Sequence, residues 1–356
     1  MTLDLSLPVP ALLSRLAPEI DRRIERMLPK AYDAAALART FGGQAAEYDA
    51  RSVTQTLAAP LWHYLEAGGK RWRPGFMLVA GAALGVAPER LLDLAAMCEM
   101  IHNATLLVDD IEDDSPKRRG RDAAHVAFGV DVAVNAGNGL YFIPLAAVAN
   151  DRLDPAARLR IHGIVADEMV KLHFGQAMDI AWHRGDAIPS EAQYLRMCAF
   201  KTGTLARMAA RVAAAVAAAP QDVEAALGAY AESIGVAFQI QDDILNVSPS
   251  ALAEGKGFGD DIHEGKKSLL VIHAAGALPK EKAARLLALV ASRPSDRASI
   301  EEAVALLAES AAFQHGRAKA RELVQSAWAR LAPSLPANPG ADKLREFGEF
   351  VVEREK

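Results

Sequence analysis

Two clusters of acidic residues carry the strongest chemical signal in the chain. One is Asp109-Asp110-Ile111-Glu112-Asp113, followed by Asp114; the other, 133 positions later, is Asp242-Asp243-Ile244-Leu245-Asn246. Each sets two acids side by side with an oxygen donor at i+4, and on a helix i and i+4 share a face one turn apart. Like charges held that closely repel, so a cation belongs between them. Mg2+ is the natural candidate, because it takes hard oxygen ligands and is usually shared between carboxylates and substrate phosphates. An apolar run precedes each cluster, Ala104 to Val108 and Val236 to Ile240. Read as helices lining a cavity, these runs give an apolar wall below a charged mouth, which suits a ligand with a diphosphate head and a hydrocarbon tail.

Basic residues are grouped where such a head would need them. Gly68-Gly69-Lys70-Arg71-Trp72-Arg73-Pro74 is a glycine turn followed by three cations, and Lys117-Arg118-Arg119-Gly120 follows the first acid cluster. Phe200-Lys201-Thr202-Gly203 opens a helix, Lys256 lies in a glycine-rich stretch after the second cluster, and Gly265-Lys266 follows it. Arg and Lys clamps and helix N-termini both suit diphosphate. Within the first group Arg71 reads as an exposed charge and Trp72 as packing.

The elements that must position these residues read as helices. Ala, Leu, Arg and Glu dominate the long segments, and β-branched alternation is scarce. The expected helices include 51–66, 73–85, 89–114, 131–149, 155–182, 190–199, 203–218, 221–247, 267–277 and 312–332. The fold class is therefore all-α. Residues 1–45 read as an amphipathic helical extension packed on the bundle, and 46–356 as the catalytic domain.

Composition narrows the functions. A net charge of −5 argues against a nucleic-acid binder. Cys98 and Cys198 form no C-x-x-C pair, so neither a disulfide framework nor a zinc site is expected, and a reducing cytoplasm is the default. The N-terminus lacks the basic and apolar regions of a secretory signal. The apolar stretch Leu205 to Pro220 is interrupted by Arg207 and Arg211, so it reads as a core helix, and no integral membrane segment is expected.

In combination and in order, GGKRWRP, HNATLLVDDIEDD, KRRG, FKTG, FQIQDD and GKGFGDDIHEGK resemble the trans-isoprenyl diphosphate synthases, from about residue 60 to 275 and more loosely to the C-terminus. The resemblance implies a single all-α bundle around a central elongated cavity, a homodimer, and a prenyltransferase. The reaction it implies condenses isopentenyl diphosphate head-to-tail with an allylic diphosphate, using three Mg2+ per active site. By motif position, Asp109 and Asp113 would ligate Mg2+ with Asp110 in support, and Asp242 would hold another ion with Asp243 in support. Arg118, Lys201, Lys256 and Lys266 would contact the allylic diphosphate. Lys70, Arg73, His102 and Arg119 would bind isopentenyl diphosphate. Lys201, through its carbonyl, with Thr202 and Gln239, would sit near the developing allylic cation.

Asn246 replaces the Asp that many relatives carry, which implies weaker metal affinity at the second cluster. Asn246, Gly137-Asn138 and the first cluster look more like eukaryotic-type geranylgeranyl diphosphate synthases than bacterial long-chain enzymes. Thr105 and Ala104, the residues four and five before Asp109, can floor the cavity in such enzymes. Both are small here, which implies a product of C20 or longer unless Tyr141, Phe142, Met169, His173 or Phe174 supplies bulk elsewhere. A class I terpene cyclase shares the acid clusters but needs no isopentenyl diphosphate site. A non-catalytic subunit of a heteromeric synthase would be expected to lose its metal acids.

Overall fold

Strong helix formers fill the segments between the prolines and glycines, and those segments are helices. The computed structural model describes residues 3–149, 153–185, 187–247 and 258–353. Among them the only strands are two of two residues each. The chain divides into two compact units, residues 1–162 with 212–218, and residues 163–211 with 219–356.

In the first unit, α1 (Val9–Met27) buries Leu12, Leu16, Ile20 and Ile24, an i, i+4 stripe. This stripe packs α1 against α5 (Trp72–Ala83) and α6 (Leu92–Glu112), so the N-terminal segment is part of this unit's core. Helix α2 (Ala34–Phe41) follows α1 and is capped by the Asp33 carboxylate. The stretch expected as one helix over 51–66 contains α3 (Ala50–Val53), a π-helical turn over Thr54–Ala58, and α4 (Ala59–Leu65). Pro60 accounts for the interruption: its ring crowds the carbonyl four residues back, and the Ala59 N–H instead reaches Thr54 O, five back.

Helix α6 is the centre of the unit and ends on the first acid cluster. A hairpin follows, β1 (Lys117–Arg118) paired antiparallel with β2 (Arg121–Asp122). Its two-residue turn is Arg119-Gly120, with φ of 50° and 81°, the left-handed pair that matches strand twist in a tight hairpin. Then come α7 (Ala124–Phe128), α8 (Val130–Phe142) and a 3-10 segment over Ile143–Ala149. Gly137 lets α8 close on α6, since a Cβ there would lie 2.8 Å from Val108 Cγ2.

Among the described residues one stretch, Val130–Ala149, is long and apolar enough to cross a membrane by length and composition. The sequence had pointed to the Leu205 segment as the most apolar. Within the unit, α8 buries Ala133, Ala136, Gly137 and Leu140, while Val130, Val134 and Phe142 remain exposed. Its inner face is thus that of a helix packed on a protein core.

In the second unit, α9 (Pro155–Arg184) and α11 (Gly203–Val216) each run across the unit boundary. Between them, α10 (Glu191–Lys201) starts at a capping box of Ser190 and Gln193. Helix α11 is a core helix, as the sequence indicates. Its Arg207 Nε donates to both oxygens of the fully buried Glu168, at 3.0 and 2.8 Å, which is how a basic residue enters an apolar interior. Helix α12 (Gln221–Asn246) carries the second acid cluster. It is followed by α13 (Asp260–His263), α14 (Leu269–Ala277), α15 (Lys280–Ser292), α16 (Arg297–Glu309), α17 (Ala312–Leu331) and α18 (Pro339–Glu353). The principal packing partner of α12 in this unit is α17.

Candidate active site

Both acid clusters lie in the last turn and a half of a long helix. Asp109 and Asp110 are near the end of α6, with Asp113 as its C-cap, and Asp242 and Asp243 are near the end of α12. Carboxylates at a helix C-terminus oppose its dipole, each at roughly 0.3–1 kcal/mol. Helix stability therefore does not explain these acids; a neighbouring cation would.

In the first cluster the two adjacent acids are divided by burial. Asp110 is fully buried, and its carboxylate accepts from Tyr64 OH of α4 and from the Arg118 guanidinium, with Arg118 Nε at 2.9 Å. Asp109 and Asp113 are half-buried one turn apart. Arg118 Nη2 stands 3.9 Å from Asp109. Asp110, counted from the sequence among the metal residues, thus holds Arg118 and Tyr64, while Asp109 and Asp113 stay partly exposed.

Beside this cluster the same unit gathers cations. Arg73 Nη1 lies 3.1 Å from His102 Nε2. Loss of hydration and then the charges of Arg73, Arg119, Arg71 and Arg118 push His102 well below its ordinary pKa. The ring is therefore neutral, accepts from Arg73 at Nε2 and carries its proton on Nδ1. The Arg119 guanidinium donates to Gly68 O from the turn of the hairpin. Lys70 is exposed on the Gly68–Arg73 segment itself. The structure thus brings Arg73, His102 and Arg119 together, with Lys70 on the same loop. Arg71 departs from the sequence expectation: it is 4% exposed and paired with buried Glu99 at 2.8 Å.

The second unit repeats the pattern of one buried and one accessible acid. Asp243 accepts from Tyr194 OH at 2.5 Å and from Gln239 Nε2 at 2.9 Å. Burial, and then the nearby Asp261 carboxylate, push the Asp243 carboxyl up. Asp242 is half-buried. Asn246 Oδ1 accepts from the Asp261 N–H at 3.1 Å and so ties α13 to the end of α12. Asp261, which the sequence reading passed over, supplies a further carboxylate, held 3.3 Å from Lys266 Nζ.

Lys201, the last residue of α10, donates to Asp179 of α9 at 2.5 Å. Gly175 permits this approach, because a Cβ there would fall 2.4 Å from Lys201 N. Burial lowers the pKa of His183, which also feels the charges of Lys266 and Lys201, so these two cations share one neighbourhood. Thr202 Oγ1 donates to Gln239 Oε1 at 3.0 Å. Lys256 lies outside the described residues. No spacing pattern singled out Asp179, Tyr64 or Tyr194.

Of the chain-length candidates, Ala104 is fully buried in α6 and Thr105 is half-buried, with its hydroxyl on His102 O at 2.7 Å. Phe142 and Phe174 are 70% and 65% exposed, so in the single chain neither supplies bulk to an interior. Tyr141 is half-buried, and its hydroxyl pKa is raised by burial and then by Glu112 and Asp109, which places it beside the first cluster.

The donor set fits a hard divalent cation: oxygens only, at helix ends where negative charge is uphill. Among the described residues no three His, Cys, Asp or Glu side chains close around one point. Mg2+ usually takes one or two carboxylates and completes its shell with phosphate oxygens and water.

Comparison with known proteins agrees with this chemistry. The sequence model of the polyprenyl synthetase family matches residues 54–307. The geranylgeranyl pyrophosphate synthase of Geoglobus acetivorans is 33% identical over 293 residues, 82% of this chain and 89% of that protein. A short chain isoprenyl diphosphate synthase of Methanothermobacter thermautotrophicus is 33% identical over 302 residues, 85% of this chain and 91% of that protein. Among solved structures, the geranylgeranyl pyrophosphate synthetase of Pyrococcus horikoshii superposes with a TM-score of 0.85 at 29% identity, covering 98% of both chains. A polyprenyl synthase of Caulobacter crescentus, solved with calcium and isoprenyl diphosphate, gives a TM-score of 0.78 at 27% identity over 97% of both chains. The all-α architecture, the acid clusters and these matches agree, and the chain belongs to the polyprenyl synthetase family, as a trans-prenyltransferase.

Proposed function

We propose that this enzyme adds isopentenyl diphosphate to an allylic diphosphate and releases a product of C20 or longer. The observation that carries the reading is the cation group Arg73, His102 and Arg119 beside the first acid cluster. A diphosphate there would be a second one, in addition to that of the allylic substrate, and a terpene cyclase has no use for it.

In this reading Asp109 and Asp113 of the first unit would hold Mg2+, as would Asp242, with Asp261 nearby, of the second, and three ions are expected. Mg2+ would neutralise charge as the C1–O bond breaks and its electron pair leaves with diphosphate. The chain's own residues do the rest. Arg118, fixed by Asp110, and Lys201 and Lys266 add positive charge for the leaving group. Gln239 donates to Asp243, which fixes the amide so that its Oε1 accepts from Thr202. The hydroxyl lone pairs of Thr202 and the Lys201 carbonyl then present negative dipole ends to the allylic cation. The isopentenyl double bond attacks C1, and the departing diphosphate takes the proton.

The test is diphosphate release from farnesyl diphosphate with and without isopentenyl diphosphate. A synthase releases it only when both are present; equal release without isopentenyl diphosphate would refute the reading in favour of a cyclase.

Ala104 and Thr105 set product length in this account. Thr105→Phe is expected to shorten the product by at least one five-carbon unit, because the aromatic ring fills space at a half-buried position one turn below Asp109. Ala104→Phe is also expected to shorten the product, and, because Ala104 is fully buried, to cost about 1–3 kcal/mol of stability as well. Product masses check the first expectation, and an unchanged product from Thr105→Phe would move the floor elsewhere.

We further propose a cytoplasmic homodimer. Val130, Val134 and Phe142 on α8 form an exposed apolar face, the kind of surface that a second copy covers, and both cysteines are buried free thiols. A soluble cell fraction in which the protein sediments at about twice the chain mass of 38.0 kDa is the expected result; a monomer, or recovery with membranes, would count against it.

A further inference from the structure

The structure assigns Glu99, acting through Arg71, as a positioning residue for the isopentenyl-diphosphate loop, and brings the N-terminal helix α1 into that task through Asp21. This inference rests on the function proposed above and adds two residues to its isopentenyl site.

The loop Gly68–Arg73 carries Lys70 and Arg73 and lies between two helices. Its conformation is not one that the chain adopts freely. Gly68 and Gly69 have φ of 88° and 145°, and Arg71 has φ of 48°, the left-handed region that costs a non-glycine residue about 1 kcal/mol or more. Something must hold it there. The Arg71 guanidinium is buried and donates in four directions: to Glu99 Oε1 at 2.8 Å, Asp21 Oδ1 at 3.0 Å, Leu65 O at 2.9 Å and Gly68 O at 3.4 Å. The last two bonds clamp the loop against the end of α4. The first two fix the guanidinium itself, to α6 and to α1.

Glu99 is 2% exposed and is oriented in its turn by Asn103 Nδ2, which donates to its Oε1 at 3.0 Å. One buried carboxylate thus opposes a cluster of guanidinium groups before any substrate arrives. The clamp also reaches Arg119. A Cβ on Gly69 would lie 3.2 Å from Arg71 Nη1 and 3.2 Å from Arg119 Nη2, so the two guanidinium groups bracket the same glycine. Glu99 sits three residues before His102 on the same helix, and Arg71 sits two before Arg73. A shift of Arg71 would therefore displace Arg73, Arg119 and Lys70 together. None of these hydrogen bonds is made by Asp109, Asp110 or Arg118, so breaking them acts first on the isopentenyl site.

The experiment is steady-state kinetics on the full chain, varying each substrate separately, for wild type, Glu99→Gln and Asp21→Asn. Glu99→Gln removes the buried charge and keeps the shape. It is expected to raise KM for isopentenyl diphosphate about tenfold or more, with KM for the allylic diphosphate within about twofold. Asp21→Asn, at a side chain 48% exposed, leaves folding intact and is expected to raise the same KM about two- to fivefold. A Glu99→Gln enzyme whose two KM values and kcat change together would reduce Glu99 to a structural residue. An unchanged KM in Asp21→Asn would remove α1 from the site, and it decides the matter if Glu99→Gln does not fold. Wild type that does not consume isopentenyl diphosphate overturns the underlying function, an outcome distinct from normal wild-type kinetics with silent variants.

Discussion

Asp109→Ala is expected to lower kcat by about a thousandfold or more while leaving the melting temperature unchanged or slightly higher. The carboxylate is half-buried near the C-terminus of α6, beside Asp110, Glu112 and Asp113. Its removal relieves like-charge repulsion and the unfavourable helix-dipole interaction, roughly 0.3–1 kcal/mol. What it removes from catalysis is a ligand for the ion that stabilises the leaving diphosphate. Asp110→Ala is the contrast. That residue is fully buried and accepts from Tyr64 and Arg118, so its loss strands both donors and is expected to cost about 1–3 kcal/mol in folding stability. Thermal denaturation and kcat, measured side by side, separate the two. Near-normal turnover in Asp109→Ala would end its role as a metal ligand.

Gly175→Ala should be the most damaging small change. The added Cβ would sit 2.4 Å from Lys201 N and 2.8 Å from Phe200 C, both backbone atoms that no rotamer can move. Helices α9 and α10 must separate, at a cost of about 3 kcal/mol. The pairing of Lys201 with Asp179 goes with them, and a displacement near 1 Å at a charge-stabilising group costs on the order of a hundredfold in rate. Gly163→Ala on the same helix supplies the control. Nothing lies within 4 Å of its Cβ position, so it is expected to stabilise the protein by about 0.5–1 kcal/mol. Melting temperature and kcat for the pair check this; equal stability of the two variants would show that α9 and α10 have slack.

The sequence made the accessible acids legible and hid their supports. Acid spacing at i and i+4, and cations next to glycines, are local patterns, and Asp109, Asp113, Asp242, Arg73 and Lys201 follow from them. Tyr64 and Tyr194 bond acids 46 and 49 residues away, and no periodicity points to such a partner. Arg71 read as exposed because it stands in a basic run. Burial came from Glu99 and Asp21, 28 and 50 residues distant, whose charges make a buried guanidinium tolerable. Asn246 read as a weakened metal donor, and no local pattern showed that its oxygen also accepts from a backbone N–H 15 residues on. The helices followed their residue patterns closely where caps and prolines were clear: α12 spans Gln221–Asn246 against an expected 221–247, and α17 spans Ala312–Leu331 against 312–332. The hairpin at Lys117–Asp122 escaped notice because strands of two residues are too short to show alternation.

The central claim is chain elongation, and product mass tests it most directly. Purified protein with Mg2+ and isopentenyl diphosphate would be given dimethylallyl, geranyl and farnesyl diphosphates in separate reactions, and the products weighed by mass spectrometry. The account predicts prenyl diphosphates in five-carbon steps, ending at one common length of C20 or more from every primer accepted. A cyclic hydrocarbon made without isopentenyl diphosphate, or no turnover of any primer, would contradict it.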